Sequence, residues 1–383
     1  MTGAQIIVLA TPVFLVLIAL EFAVGWARGR NTYRLADTLT SIGLGVMSQV
    51  TGVFGRLLRI GLYVLVFEHV ALFQLPVDSL AVWLGALLAY DFCYYWHHRA
   101  GHRVALFWAA HVVHHQSEDY NLGTALRQTS SGFVFGWLFY LPLALAGVPP
   151  VVFATVALID LLYQFWVHTQ QVGRLGWFDR WFVSPSNHRV HHAVNERYLD
   201  RNYGGILIVW DRLFGTFQEE ARADEDEAEP IVYGTRAPLK RWCPLVANLD
   251  VYRGLAFDSW HAERALDKLK VWLMPPGWRP ADVAARFPRP AFEISQVQRH
   301  EAAVPLRVQA LAAGLFGLVL VATSGFLWVA HTLAAAQLAG AAAALVAALW
   351  GVGRLLEGRQ PQPDQAEAVE AGEAPTSVGR AIR

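Results

Sequence analysis

Eight histidines occur in three short clusters whose internal spacing is typical of one helix face. The clusters are HRAGH, HVVHH and HRVHH, and they contain His98, His102, His111, His114, His115, His188, His191 and His192. Residues three or four positions apart lie on the same side of a helix, so each cluster directs its imidazoles toward a common point. Neutral imidazole is the commonest metal ligand among side chains. Because a zinc site takes about four ligands, this set predicts two metal ions.

Two further histidines lie close to this pattern. His168 follows Asp160 and Gln164 at intervals of four residues, which places all three on one stripe of a helix, and we expect His168 to be a ninth ligand. His97 adjoins the first cluster but points about 100° away from its face, so it is not expected to bind metal. The isolated histidines are interpreted as ordinary structural or surface side chains; they are His69, His261, His300 and His331.

Two aspartates within apolar stretches are candidate catalytic residues. Asp91 lies seven residues before His98, about two turns below it on the same face. An ionisable residue in an apolar helix is a functional candidate by default. Asp91 is expected to accept a hydrogen bond from a ligand imidazole and so fix its tautomer; contact with water or with another helix is the alternative. Asp160, on the stripe that ends at His168, is the second candidate.

The composition predicts a membrane protein. Of the 383 residues, 55% are hydrophobic and 16% are charged, which is more apolar than a typical soluble domain. Residues 5–27 are long enough to cross a bilayer, which needs about 20 apolar residues. They have no basic segment before them and no evident cleavage site after them, so a retained anchor is expected rather than a signal peptide. Further candidate spans are 36–54, 57–75, 79–96, the pair 131–148 and 149–167, and the pair 308–330 and 333–352.

The distribution of arginines predicts the orientation. Arg28, Arg30 and Arg34 follow the first span, and no charged side chain precedes it, so residue 28 is placed in the cytoplasm. The polar segment 36–54 is then expected to lie at the interface or to re-enter, which keeps all three clusters cytoplasmic. The predicted fold is an all-α integral membrane protein, in which a transmembrane helix bundle is capped by a cytoplasmic helical histidine-rich di-metal domain. A bacterial inner membrane is the expected location.

We divide the chain into four parts. They are N-terminal spans at 1–96, a catalytic region at 97–302 with a membrane hairpin at 131–167, a C-terminal pair of spans at 303–355, and a disordered tail at 356–383. The tail is polar and rich in Pro and Ala, with no apolar face to bury. The acidic run 224–229 is interpreted as a solvated loop.

Charge and cysteine usage exclude several classes of function. The formal net charge is zero, which argues against nucleic acid as a partner. Cys93 and Cys243 are far apart in sequence, so neither a disulfide framework nor a thiolate metal site is supported.

Imidazole alone suits zinc, copper, iron and nickel, so the type of ligand does not identify the metal. Neutral ligands leave the charge of the ions uncompensated, which favours a reduced-oxygen anion between them, so iron that activates O₂ is the expected metal.

The motifs resemble the sterol desaturase/fatty acid hydroxylase superfamily of membrane di-iron enzymes, whose pattern is HxxxH, HxxHH and HxxHH. Longer stretches over roughly residues 80–280 look like the alkylglycerol monooxygenase branch of that superfamily. These stretches are DFCYYWHHRAGH, WAAHVVHHQSEDYNLGTALRQ, LLYQFWVHT, SPSNHRVHHAVN and NYGGILIVWDRLFGTF.

The resemblance implies O₂-dependent hydroxylation of an alkyl carbon of a lipid. In that branch the carbon lies next to the ether oxygen of a glyceryl ether lipid. The resulting hemiacetal breaks down to an aldehyde and a glycerol derivative, and a tetrahydropterin supplies the electrons. The resemblance also implies that the eight motif histidines bind two iron ions. His168 matches a further histidine, and Gln164 stands where some members have another.

One position departs from the branch. A glutamate typically follows the second histidine of HxxxH there, whereas this chain has Arg103. The departure implies either a different electron donor or another substrate. Glu118, a third candidate catalytic residue, and Asp119 are the nearest carboxylates that would compensate; a supporting role or a helix terminus is the alternative.

Three functions therefore stand side by side. The first is an ether-lipid monooxygenase that uses tetrahydropterin. The second is a hydroxylase or desaturase of a sterol, a carotenoid or a fatty acyl chain, reduced by an external ferredoxin or cytochrome. The third is a metal-storing or metal-transporting membrane protein. A transporter would place its ligands near the bilayer midplane, whereas this chain has them beside the ends of its spans, which argues against this third function.

Overall fold

The computed structural model describes residues 3–55, 57–222 and 229–358. Within these ranges the chain is helical, and the extended segments form only two isolated bridges, Phe182 with Leu207 and Ala193 with Tyr233. The α-helices are α1 (Gly3–Ala27), α2 (Leu35–Gly52), α3 (Leu62–Val70), α4 (Leu80–Arg103), α5 (Ala105–His115), α6 (Leu122–Ala125), α7 (Leu141–Leu145), α8 (Pro150–Trp166), α9 (Phe178–Trp181), α10 (Pro185–His192), α11 (Val209–Leu213), α12 (Pro244–His261), α13 (Ala265–Leu273), α14 (Ala281–Arg286), α15 (Leu306–Val329) and α16 (Ala335–Leu356). The all-α prediction is confirmed.

Three of these helices are long and apolar enough to cross a membrane, within the part of the chain that the structure describes. They are α1, α15 and α16, with 25, 24 and 22 residues, and an 18-residue stretch of each has a mean hydropathy of 2.6, 2.1 and 1.7, respectively. At about 1.5 Å per residue each exceeds the roughly 30 Å of a hydrocarbon core. The predicted spans 5–27, 308–330 and 333–352 coincide with them, and the chain is a membrane protein.

Helix α2 corresponds to the predicted interfacial or re-entrant segment 36–54. It packs against α15 and α16, and its polar side chains face the protein interior. Asp37 and Ser41 are buried, and the hydroxyl of Thr40 donates to the carbonyl of Trp242 at 3.0 Å. The polar residues that weaken α2 as a lipid-facing span are therefore used in contacts with the rest of the chain.

Two expected spans are not single helices. In 57–75 a π-helix, Leu57–Gly61, is followed by the nine residues of α3, and together they extend about 21 Å, too short to cross. In 131–148 there are two 3₁₀ turns, Gly132–Val134 and Gly136–Tyr140, before the five residues of α7. The predicted hairpin at 131–167 thus has one irregular leg and one helical leg, α8.

A glycine turn joins these two legs. Gly147 has a φ of +82°, and a Cβ there would lie 1.9 Å from the carbonyl oxygen of Phe73. Only glycine combines this left-handed conformation with so close an approach of another backbone. The turn brings α7 and α8 against α3 and α4.

Two apolar cores flank the histidine region. One is formed by α1, α2, α15 and α16 around Val50, Phe316 and Leu349; the other by α3, α4, α7 and α8 around Tyr63 and Val152. Helix α4 continues without a break from the second core to Arg103, so it carries the first histidine cluster out of that core. From residue 359 onward the predicted tail lies outside the described residues, as do residues 224–228 of the acidic run. The division into four parts stays a prediction.

Candidate metal centre

Four chain segments bring the histidines together. The end of α4 carries His98 and His102, α5 carries the HVVHH cluster, and α10 carries the HRVHH cluster. His168 follows the end of α8 by two residues. Helix α10 begins sharply because Pro185 occupies its first position and the hydroxyl of Ser184 accepts the N–H of Asn187 at 3.3 Å.

The nine histidines form two groups, each with its ring nitrogens within 4.8 Å of one another. The first group is His98, His102, His111, His115 and His191, and the second is His114, His168, His188 and His192. Most of these side chains are buried. The groups do not follow the sequence clusters, because α5 and α10 each present one helix face to one group and the neighbouring face to the other. These clusters are compatible with metal binding.

Backbone carbonyls fix the orientation of four imidazoles. The Nδ1 atoms of His98, His114, His168 and His191 lie 2.8, 3.0, 2.8 and 2.9 Å from the carbonyl oxygens of Tyr203, Arg127, Gln164 and Arg201, respectively. A carbonyl only accepts, so each Nδ1 carries the hydrogen and donates it. In the neutral ring the lone pair is then on Nε2, the atom directed into the group.

Two of these lone pairs face each other directly. The Nε2 atoms of His114 and His168 are 3.1 Å apart, and neither carries a hydrogen to place between them. Burial lowers the pKa of His114 to about 4 and that of His168 well below its ordinary value, so both rings are neutral at pH 7. Two acceptors in contact are stable only with a cation between them. Nitrogens bound to one ion at about 2.0–2.1 Å and at a right angle would lie about 3 Å apart, which this pair matches.

Further ring nitrogens are also without partners. Buried nitrogen atoms with no hydrogen-bond partner among the described residues include Nε2 of His102, His191 and His192 and Nδ1 of His188. An unsatisfied buried polar group is costly, so several in one place indicate a missing ligand. The donor set therefore fits metal ions in both groups.

Asp200 connects the first group to Arg103. Its carboxylate lies 3.5 Å from Nδ1 of His102 and accepts a 2.8 Å bond from the guanidinium of Arg103. These two partners hold the pKa of Asp200 below its usual value despite burial of the carboxyl. A carboxylate behind a metal-binding imidazole raises the basicity of that ligand. Arg103, which stands where the resemblance implies a glutamate, thus contacts the carboxylate behind His102.

Asp91 has other partners than the imidazole expected from the sequence. Its carboxylate accepts the backbone N–H groups of Ile206 and Leu207 at 2.7 and 3.1 Å and the indole N–H of Trp210 at 2.8 Å. The nearby His98 donates instead to the carbonyl of Tyr203 at 2.8 Å. Asp91 therefore fixes the loop that carries Tyr203 to α4.

Asp160 and Gln164 lie beside the site and bind each other. The amide of Gln164 donates to one carboxylate oxygen of Asp160 at 2.7 Å and accepts the hydroxyl of Tyr94 at 2.6 Å. With both ends of the amide occupied, Gln164 is not placed as a metal ligand. The other carboxylate oxygen of Asp160 is buried without a hydrogen-bond partner in the described chain.

Glu118 lies in a separate ionic cluster. It accepts the N–H of His300 at 2.6 Å and lies 3.5 Å from the guanidinium of Arg34, which also binds Asp119 at 2.8 Å. These carboxylates join the start of α2 to the segment before α15. Neither contacts Arg103 in the described structure, so they are not positioned to replace the glutamate expected there.

An apolar cavity of about 590 Å³ adjoins the histidines. Residues of α1, α2, α8 and α15 form most of its wall, and His98, His111, His114 and His168 lie at its polar end. Thr11 of α1 lines it ten residues before Glu21, whose carboxylate binds the hydroxyl of Thr169 next to His168. Ten residues of helix correspond to about 15 Å, so the cavity leads from the histidines well into the helix bundle. His97 also lines it and lies 3.3 Å from the hydroxyl of Tyr140, apart from both groups.

Comparison with known proteins agrees with this geometry. Residues 83–216, which hold all nine histidines, match the family described as fatty acid hydroxylase. Residues 83–216 belong to the fatty acid hydroxylase family. The resemblance stated from the histidine motifs is confirmed.

Several named proteins are similar to this chain. Alkylglycerol monooxygenase of Homo sapiens is 42% identical over 272 residues, which cover 71% of this chain and 59% of the human protein. That of Xenopus tropicalis is 38% identical over 292 residues, covering 76% of this chain and 63% of the relative. Ornithine lipid hydroxylase of Rhizobium tropici is 31% identical over 145 residues, which cover 36% of this chain and 42% of that protein. No solved structure shows a significant match. The chain spans about three fifths of the length of the alkylglycerol monooxygenases named here.

Several supporting residues of the site have no signature in the sequence. The carbonyls of Arg127, Arg201 and Tyr203 orient histidines through the backbone, which any residue type supplies. Asp200 follows the last cluster by eight residues and carries an ionisable side chain, and these two features could have identified it as a partner of His102. The NYG segment was a usable signal, because it marks the loop that contains Tyr203.

Proposed function

We propose that this chain is a membrane-bound di-iron monooxygenase that hydroxylates an alkyl carbon of a lipid with O₂. The observation that carries the proposal is the contact between the Nε2 lone pairs of His114 and His168, 3.1 Å apart at the end of an apolar cavity. A cation is needed between these atoms, and a long apolar chain fits the cavity beside them. The site is proposed to face the cytoplasm, since Arg28 and Arg30 follow the first span.

Each histidine group would hold one iron ion. The proposed ligands are His98, His102, His111, His115 and His191 for one ion, and His114, His168, His188 and His192 for the other. Such a pair of irons would supply O₂ activation and insertion of one oxygen atom into a C–H bond. The protein contributes the orientation of the imidazoles through backbone carbonyls and an apolar enclosure that excludes water from the reacting carbon.

The proposed substrate is an ether lipid, as in the names of the alkylglycerol monooxygenases. Hydroxylation of the carbon next to an ether oxygen gives a hemiacetal, which breaks down to an aldehyde and an alcohol. The apolar wall formed by α1, α8 and α15 would hold the alkyl chain, and the polar end near Tyr94 and Gln164 would lie by the reacting carbon. A tetrahydropterin is the proposed electron donor.

A second function is favoured by one observation. Arg103 stands at the position of the branch's glutamate and is held by Asp200 at 2.8 Å. If that glutamate serves pterin use in the branch, a chain without it would use an external ferredoxin or cytochrome and act on a sterol, a carotenoid or a fatty acyl chain. The two functions share the same site and differ in donor and substrate.

Metal content and lipid products test the proposal together. The chain is produced in iron-supplemented cells, and about two irons per chain are expected from the two histidine groups. Iron-loaded membranes are then given ether lipids, sterols and acyl lipids with tetrahydropterin or with reduced ferredoxin, and the products are identified by mass spectrometry. We expect a fatty aldehyde from the ether lipid with tetrahydropterin. A hydroxylated sterol or acyl chain formed only with ferredoxin would support the second function.

Matched histidine variants connect product to site. His114→Ala removes one of the two facing nitrogens and should lose iron and product together. His69→Gln changes an exposed histidine of α3, remote from both groups, and should keep both. Iron binding without any change in any lipid would contradict the oxygenase proposal, and a chain that binds no iron would contradict the metal assignment as well.

A further inference from the structure

A second, polar cavity lies outside the histidine site, next to an exposed aromatic surface. The surface is formed by Trp177 and Trp181 of the α9 region and Leu213 of α11, which are 72%, 54% and 67% exposed. The two elements are joined by the bond from the N–H of Ile208 to the carbonyl of Trp181, at 3.1 Å. We name Trp177, Trp181 and Leu213 the interfacial surface. Tryptophan is typical of the boundary between a bilayer and water.

Contacts with α1 place this surface near the end of a candidate span. The guanidinium of Arg28 donates to the carbonyl of Gln171 at 3.1 Å, and the amide of Gln171 donates to the carbonyl of Arg30 at 3.0 Å. These bonds hold the segment that begins α9 beside the last turn of α1. Trp26 in that last turn is itself 71% exposed. The interfacial surface therefore lies at the same end of α1 as the aromatic and basic residues that mark a bilayer boundary.

The cavity has a volume of about 250 Å³ and is lined by three arginines, two of which, Arg180 and Arg212, directly precede Trp181 and Leu213 in the sequence. Arg174 forms an ion pair with Glu219. The guanidinium of Arg180 has no carboxylate within 4.0 Å among the described residues, and Arg212 uses one nitrogen to bind the carbonyl of Arg180 at 3.0 Å. Arg212 also stacks on the ring of Phe217 at 3.6 Å. Two guanidinium groups thus face one cavity without an acidic partner.

The charges of the lining residues favour a singly charged anion. Arg174, Arg180 and Arg212 are opposed by two carboxylates, Asp179 and Glu219, which leaves one positive charge. One oxygen of Asp179 accepts the N–H of Leu175 at 2.6 Å. A phosphodiester carries one negative charge and matches this balance.

The far wall of the cavity is the first turn of α10. Ser186 and Asn187 line it, and this eight-residue helix directs its N-terminal end toward the arginines. Pro185 has no N–H and the N–H of Asn187 is bonded to the Ser184 hydroxyl, so this end favours a phosphate mainly through the helix dipole. Arginine adds paired donors that match phosphate oxygens.

We propose that this cavity binds the phosphate group of a membrane phospholipid, with Arg180 and Arg212 as donors and the interfacial surface inserted among the lipids. A free phosphate would use the same arginines but would leave Trp177 and Trp181 in water, so a lipid is the ligand that explains both features. Because α10 also carries His188, His191 and His192, the bound lipid would fix the orientation of the histidine site against the bilayer.

Lipid binding by the full chain in a neutral detergent tests this proposal. Native mass spectrometry follows the binding of dioleoyl phosphatidylglycerol, of dioleoylglycerol with the same acyl chains and no phosphate, and of inorganic phosphate. We expect phosphatidylglycerol to bind with at least about tenfold higher affinity than either comparison ligand, since charge-assisted bonds to two arginines are strong. Metal is not needed for this measurement, so its result is independent of the oxygenase proposal.

Three variants assign the binding to the cavity. Arg180→Gln should weaken phosphatidylglycerol binding about tenfold, and Arg180→Lys should recover part of the loss because it keeps the charge. Arg253→Gln removes an exposed arginine of α12 outside the cavity and should bind like the unchanged chain. Arg180 is exposed and its side chain has no ion pair within the described ranges, so Arg180→Gln should fold with unchanged helicity. Equal binding by Arg180→Gln and the unchanged chain, or equal binding of dioleoylglycerol, would overturn the proposal. If inorganic phosphate bound as tightly as phosphatidylglycerol, the claim that the ligand is a phospholipid would be wrong.

Discussion

At the scale of the residue, Asp200 occupies a decisive position between His102 and Arg103. Its carboxylate lies 3.5 Å from the Nδ1 of His102, whose Nε2 is buried without a hydrogen-bond partner in the described structure. The same carboxylate binds Arg103, whose side chain is 55% exposed. Exposed ion pairs contribute little to stability, so the main effect of the contact with Arg103 is to lower the pKa of Asp200 and keep it ionised. The carboxylate in turn orients the imidazole of His102.

Replacing this carboxylate should weaken metal binding. In Asp200→Asn the side chain keeps its shape but loses the charge behind His102, and such changes typically reduce metal affinity about 10- to 100-fold. Arg103→Gln leaves the carboxylate in place and should have a smaller effect. Competition between each purified chain and a chelator for Zn²⁺ measures both. An Asp200→Asn chain that holds Zn²⁺ as tightly as the unchanged chain would contradict a supporting role for Asp200.

The sequence predicts which histidines converge but not how they divide. Helical spacing placed His111, His114 and His115 on one segment, and the structure assigns His114 to a different group from the other two. The division depends on where α4, α8 and α10 lie around α5, which is a tertiary property. Asp91 shows the same limit, because its helical register with His98 was correct while its partner is the backbone of residues 206–207.

At the scale of the element, the segment from Tyr203 to Asp211 connects the histidine site to two helices. Asp91 of α4 accepts two of its N–H groups, and Asp211 accepts the N–H groups of Tyr203 and Gly204, both at 2.7 Å. Gly205 lies where this segment passes α4 and α8. A Cβ there would be 2.7 Å from a carboxylate oxygen of Asp160, 2.8 Å from the ring of Tyr94 and 2.9 Å from Asp91.

A methyl group at this crossing should displace the segment. Gly205→Ala forces contacts shorter than van der Waals distance, which typically costs about 1–3 kcal/mol of unfolding free energy. The displacement should also move the carbonyl of Tyr203 away from His98 and reduce metal content. Chemical unfolding in detergent and metal analysis measure the two effects. Gly173→Ala, where nothing lies within 4 Å of the added atom, is the control and should stay within about 0.5 kcal/mol. If the two variants had the same unfolding free energy, the segment could move without a loss of stability and the prediction would be wrong.

Helix prediction succeeded where a segment was uniformly apolar and failed where glycine and aromatic residues interrupt it. Length and hydropathy alone were enough to predict the spans α1, α15 and α16. Segment 131–148 is similarly apolar, yet its backbone breaks into 3₁₀ turns around Gly132 and Gly136. In α2 the polar residues that lowered its hydropathy are buried against Trp242 and Arg127, contacts between residues at least 86 positions apart. Such contacts are not visible in a local window of sequence.

At the scale of the whole molecule, burying nine imidazoles between two apolar cores makes folding dependent on their protonation. Burial lowers the pKa of His114 to about 4 and holds the pKa of His191 and His192 well below the ordinary value, so these rings are neutral in the folded chain. In the unfolded chain their pKa returns to about 6.5. Between these values the unfolded chain binds more protons than the folded chain, so acid favours unfolding.

The metal-free chain should therefore lose stability as the pH falls from about 6.5 toward 4, and these histidines should add no pH dependence above about 7. Each fully buried imidazole contributes about 1.4 kcal/mol of unfolding free energy per pH unit in that window. Unfolding of the chelator-treated chain in detergent, measured from pH 7.5 to pH 4.5, gives the slope. His114→Gln removes one titrating ring and should lower the slope by about that amount, whereas His69→Gln, at an exposed position, should leave it unchanged. Bound metal should raise the stability most at pH 7 and least in acid, because protons compete for the same lone pairs. Stability that rises on acidification would mean that the rings accept protons in the folded chain, and the neutral, metal-ready centre would be excluded.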